Sequence, residues 1–133
     1  MDKPLLYYAL CTGLISGFIL FQTSVIAPSV FKNLDHKSIR MFLRDIFPKL
    51  FFSISVTGTI SLIILLIFGT KFNIQYFISI FSVIGSVFCL LIIPATNNAT
   101  DLGNKKLFSL LHRISVLTTI TILMLNLFWI VFI

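Results

Sequence analysis

Charge is what this chain has least of. Only 11% of its 133 residues are Asp, Glu, Lys or Arg, against about a quarter in soluble domains. The shortage is also uneven. Residues 4–31, 50–70, 72–100 and 114–133 contain no charged residue at all. Each of these stretches is rich in Leu, Ile, Val and Phe, and each reaches the roughly 20 residues that a helix needs to cross a hydrocarbon core about 30 Å thick. Mean hydropathy is +1.08. A soluble catalytic module is excluded, because four spans use up most of the length. The first stretch reads as a span and not as a cleaved leader, being too long for a signal core and followed by Pro28 and Phe31 where a small-residue cleavage site would fall.

Other absences narrow the function. There is no GxGxxG, P-loop, CxxC or HExxH pattern, and no ionisable residue deep in a span to mark a proton relay or ion path. The two cysteines, Cys11 and Cys89, differ in expected depth by roughly 16 Å at 1.5 Å per residue, too far for a disulfide or a shared metal. They read as small packing residues.

The charges that are present are sorted by side. Lys32, Lys37, Arg40, Arg44 and Lys49 lie between the first two stretches, and Lys105, Lys106 and Arg113 between the last two. Lys3 and Lys71 stand alone on the other side. The net charge of +6 therefore speaks for membrane topology and not for nucleic acid. The positive-inside rule places the basic connections in the cytoplasm and both termini outside. Tyr7, Tyr8, Tyr76 and Trp129 all fall near the non-basic ends and read as anchors at the outer interface.

These patterns predict an all-α fold: an integral membrane four-helix bundle in one domain, residues 1–133. The spans are expected at about 5–31, 50–70, 73–96 and 114–133, with a short amphipathic surface helix at about 36–47. In that helix Ile39, Phe42, Leu43, Ile46 and Phe47 form an apolar face, and Lys37, Arg40 and Arg44 form a basic face toward lipid phosphates. Asp35 is its expected N-cap, and Pro48 is expected to end or kink it before span 2. Pro28 is expected to bend span 1, and Pro94 to end span 3. Gly13 and Gly17 form a GxxxG pair for close helix packing, within the monomer or between two copies. Residues 54–60 and 114–120 match at five of seven positions and suggest two related halves.

The polar residues that bracket the last connection are Asn97, Asp101, His112, Arg113 and Ser115. They form the candidate cluster, with His112 as a hydrogen-bonded tie between spans 3 and 4. His112 is also the one plausible metal or haem ligand. His36, at the start of the surface helix, would need a fold-back to join it.

Two runs carry a resemblance. Ala27-Pro28-Ser29-Val30-Phe31-Lys32-Asn33-Leu34 with Ile46-Phe47-Pro48-Lys49-Leu50-Phe51 is the first; Pro94-Ala95-Thr96-Asn97 with Asp101, Phe108, Leu111-His112-Arg113 and Ser115-Val116 is the second. They resemble the transmembrane protein 205-like family, small bacterial membrane proteins classed as a domain of unknown function. The resemblance implies a four-helix membrane protein without an established activity, in a bacterial inner (plasma) membrane.

The first functional expectation is a non-enzymatic protein, either an accessory subunit of a membrane complex or a handler of metals or small solutes. The alternatives are a haem- or metal-dependent oxidoreductase using His112, and an anionic-lipid-binding protein using Lys37, Arg40 and Arg44. The sequence requires no cofactor, and haem or copper would depend on His112. Expected partners are the bilayer, other membrane subunits, or a second copy through Gly13 and Gly17.

The sidedness can be checked directly. In a Cys-free background, a single cysteine at Ser38 should resist a membrane-impermeant thiol reagent in intact cells, and one at Asn73 should react. The reverse labelling pattern would invert the topology.

Overall fold

A computed structural model describes residues 3–133. Helix α1 spans Lys3–Phe21, passes through a π-helical turn at Gln22–Ile26, and continues as α2 over Ala27–Asn33. Helix α3 spans His36–Phe68, α4 Asn73–Asp101 and α5 Lys105–Phe128, which ends in a 3₁₀ turn at Trp129–Phe132. Four helical rods result, each long and apolar enough to cross a membrane. Helix is the expected answer for such stretches, because hydrocarbon offers no partner for backbone N–H and C=O groups. With its large apolar side chains exposed around the outside, this is an integral membrane protein.

The helices run well past the charge-free stretches on the basic side. α3 has 33 residues, about 50 Å at 1.5 Å per residue, so its first turns exceed what the hydrocarbon requires. The surface helix expected at 36–47 is therefore not a separate element: those residues are the opening turns of α3. Pro48 and Pro94 lie inside α3 and α4 and end neither helix. Such prolines are tolerated in membrane helices, where neighbouring groups and local adjustment of the backbone re-satisfy what the ring leaves open.

Pro28 does leave a mark. It has no N–H to give and its ring crowds the carbonyl four residues back. The turn before it widens, so that Ala27 N–H reaches Gln22 O, the i→i+5 bond of a π turn. At the other end of the bundle's basic side, the α4–α5 connection is only Leu102–Asn104. Gly103, at φ +68°, permits a Schellman ending: Asn104 N–H bonds Ala99 O at 2.9 Å and Gly103 N–H bonds Thr100 O at 3.2 Å. The Asn104 side chain then accepts Leu107 N–H at 3.1 Å and caps α5.

The rods form a ring in the order α1, α3, α4, α5 and back to α1. One apolar cluster (Ile15, Ile19, Phe51, Ile54, Cys89, Ile122, Leu123) fills the middle. A second, Tyr8, Leu65, Ile78 and Trp129, fills the end that carries the termini. Both cysteines are buried and free. Buried hydrogen bonds join the rods: Ser61 to Ser79 at 2.8 Å, Asn126 Nδ2 to Ser82 Oγ at 2.9 Å, and Trp129 Nε1 to Thr12 Oγ1 at 3.0 Å.

Two expectations change here. Tyr8 and Trp129 are buried and meet edge to face, ring centroids 4.9 Å apart; they lock the helix ends together instead of marking the headgroup level. Gly13 and Gly17 are exposed, and an added Cβ at either would touch nothing within 4 Å. The close approaches inside the monomer are made at Gly58, where a Cβ would come to 3.1 Å from Val83 Cγ2, and at Gly85, where it would come to 3.1 Å from Thr118 Cγ2 and 3.2 Å from Ile122 Cδ1.

Gly85→Val should therefore destabilise the bundle by about 1–3 kcal/mol through overpacking, whereas Gly13→Val and Gly17→Val should change it little. Thermal unfolding of the monomer in detergent distinguishes these. Equal losses at all three glycines would refute the packing assignment.

Candidate functional site

The basic ends of the helices do not close over one another. Between them lies a cavity of about 890 Å³, lined by residues from α1 through α2, the first turns of α3, the last turns of α4 and the basic-end half of α5. Its size is within the range of small-molecule sites, about 300–1,000 Å³. The floor is the central apolar cluster, through Ile19, Phe51 and Leu123.

The α3 wall is written in the sequence at helical spacing. His36, Arg40 and Arg44 recur every four residues, and Ile39, Leu43 and Phe47 lie beside them on the same side. The face that carries Arg40 and Arg44 thus borders the cavity. Lys37, the third residue expected at lipid headgroups, is exposed and does not line it. Arg44 is half-buried and turned toward α4: its guanidinium donates to Asn97 O at 3.3 Å and pairs with the Asp101 carboxylate. That places a cation at the carbonyl end of α4, where the helix dipole favours one, and holds the opening turns of α3 against α4. Arg40 makes no such pair and remains exposed at the cavity wall.

The candidate cluster divides. Asp101 pairs with Arg44 on α3, while Asn97, whose backbone carbonyl accepts from the same guanidinium, lines the cavity together with His112 and Ser115. His112 and Ser115 line the cavity from α5, and Arg113 is exposed away from it. The His112 ring stacks on Phe108 one turn earlier, centroids 5.6 Å apart and planes 7° from parallel. It is exposed and makes no hydrogen bond to α4 among the described residues, so the expected tie between spans 3 and 4 is supplied by the Asn104 turn. His36 and His112 line the same cavity without any fold-back; the long first turns of α3 carry His36 there. Among the described residues, no three His, Cys, Asp or Glu side chains converge as a metal site.

Sequence reasoning passed over Gln22. It sits on the π turn, is 5% exposed, lines the cavity, and leaves Nε2 without a hydrogen-bond partner. It also borders a smaller cleft of about 280 Å³ between α1 and α3. The available signal was Pro28 six residues downstream.

Because His112 is exposed and unbonded, His112→Leu and His112→Gln should both leave stability within about 0.5 kcal/mol of the parent. A marked loss for Leu with retention for Gln, read by thermal melts, would restore the hydrogen-bonded tie.

No curated protein and no solved structure matches this chain. A family model described as a domain of unknown function (DUF4149) matches residues 10–105, which run from α1 through the α4–α5 turn and include Gln22, Arg40, Arg44, Asn97 and Asp101. With its larger part matched by that model, the chain belongs to the DUF4149 family.

Proposed function

We propose that this protein binds an anionic amphiphile inside its helix bundle, at the basic end. The observation that carries this reading is the cavity itself: apolar at its floor and walls, cationic along one side through Arg40 and Arg44, and large enough for part of a lipid. A hydrocarbon tail would lie against Ile19, Phe47, Phe51 and Leu123. An anionic head would lie by Arg40, the cation not already held by an acidic partner. The cavity lies at the end that the charge rule assigns to the cytoplasm, so the ligand would come from that leaflet. An accessory or transport role is compatible with this binding, and the bacterial inner membrane is the setting that suits it.

One observation favours a second reading. His36 and His112 share the cavity, which is the starting point for a haem or metal site. A Soret band in the purified protein, lost in both His36→Ala and His112→Ala, would select it.

Head-group charge tests the first reading. By native mass spectrometry of the full chain in detergent, lipids with an anionic head should bind more tightly than zwitterionic lipids of the same chains. Arg40→Gln should weaken the anionic lipids about fivefold, since one basic residue near anionic lipid contributes about 1 kcal/mol. Equal binding of both head groups, unchanged in the variant, would reject the proposal.

A further inference from the structure

Among the described residues, Gln22 is the one buried side chain at the cavity with a side-chain atom left without a hydrogen-bond partner. Its Nε2 has no partner, although the residue is 95% buried by its 5% exposure. A buried amide donor without an acceptor is costly, and native proteins nearly always satisfy it. Ile19 and Leu50, which line the cavity with it, offer no side-chain acceptor, and the hydroxyls of Thr23 beside it and of Ser53 across the smaller cleft make no bond to it. The terminal torsion of a glutamine is soft, so the amide can turn to an acceptor placed in the cavity. The backbone around it is unusual as well: Gln22 opens the π turn imposed by Pro28, and such turns recur at functional sites.

Depth adds the chemistry. Gln22 lies eleven residues before the end of α2 at Asn33, and Arg40 four residues after the start of α3 at His36. At 1.5 Å per residue, the amide is set about 10 Å deeper than Arg40. The cavity thus presents a cation near its mouth and a neutral donor farther in, among apolar walls. The glycerol linkage between a phosphate and an acyl ester, with a hydrogen bond at each end, spans a separation of that order.

We propose that Gln22 recognises the ester carbonyl of an anionic acyl phospholipid whose phosphate lies at Arg40. This deepens the amphiphile reading above and rests on it. A fatty acid has its only oxygens in the head, and an isoprenoid phosphate has no acceptor beyond the phosphate; neither satisfies both groups.

The experiment compares phosphatidic acid bearing two acyl esters, the diether analogue with the same chains, and an isoprenoid monophosphate. Each is titrated against the full chain in detergent, for the parent and for Gln22→Leu. The parent should prefer the diester over the diether by about five- to tenfold, the effect of one buried hydrogen bond. Gln22→Leu should bring the diester down to the diether's affinity, leave the diether unchanged, and raise or preserve the thermal stability of the unloaded protein, because an unpaired buried donor has been removed. Equal affinity of the parent for diester and diether overturns the ester assignment while leaving the cavity reading intact. So does an isoprenoid phosphate that binds as tightly as the diester, or a Gln22→Leu variant that loses both lipids equally. Failure of all three phosphates to bind the parent overturns the amphiphile reading itself. Gln22→Met, which keeps length and loses the donor, repeats the comparison if the leucine variant does not fold.

Discussion

Everything in this bundle depends on how helices hold together where burial of apolar surface brings no advantage. Lipid tails are as apolar as leucine, so association rests on close packing and on hydrogen bonds between rods, each averaging about 0.6 kcal/mol and reaching about 2. α4 is where these meet. Gly58 of α3 packs on its Val83, its own Gly85 receives Thr118 and Ile122 of α5, and its Ser79 and Ser82 bond Ser61 and Asn126. α1 joins the ring at the far end, through Tyr8 to Gln75 O and Trp129 to Thr12.

That distribution makes the molecule asymmetric along its length. The end with the termini is sealed by the edge-to-face pair of Tyr8 and Trp129 and by buried polar contacts. The basic end holds one inter-rod ion pair, Arg44 with Asp101, and a short turn between α4 and α5. With few contacts between them there, the rods enclose space instead of filling it. The same turns that overrun the hydrocarbon thickness bring His36, Arg40 and Arg44 to the wall of that space. The topology expected from the charges and the ligand binding proposed for the cavity thus draw on the same basic residues, and sidedness alone does not distinguish the two uses.

Several sequence signals were ambiguous for identifiable reasons. Pro48 reads as a helix end or kink and Pro94 as a helix end, because a lone helix is disrupted there; both helices continue through them. Gly13 and Gly17 have the spacing of a helix contact, whereas Gly58 and Gly85 have no pattern at all. Which glycines meet a neighbour depends on the rotation of each rod, and α1 is apolar all round, so its composition gives no preferred face. His112 and Asp101 are close in the chain, yet Asp101 is claimed by an arginine 57 residues away.

The sequence by itself determined the membrane class, the number of rods, the lengths that span lipid and the sorting of charge to one side. These follow from one-dimensional quantities: how long an apolar run is, and where the charges interrupt it. The tertiary structure alone decided which face of each rod turns inward. That placed Tyr8 and Trp129 in the interior, directed Arg44 to α4, and set both histidines and the unpaired amide of Gln22 around one cavity. These outcomes depend on rotation and register between helices, which a run of uniformly apolar residues does not encode.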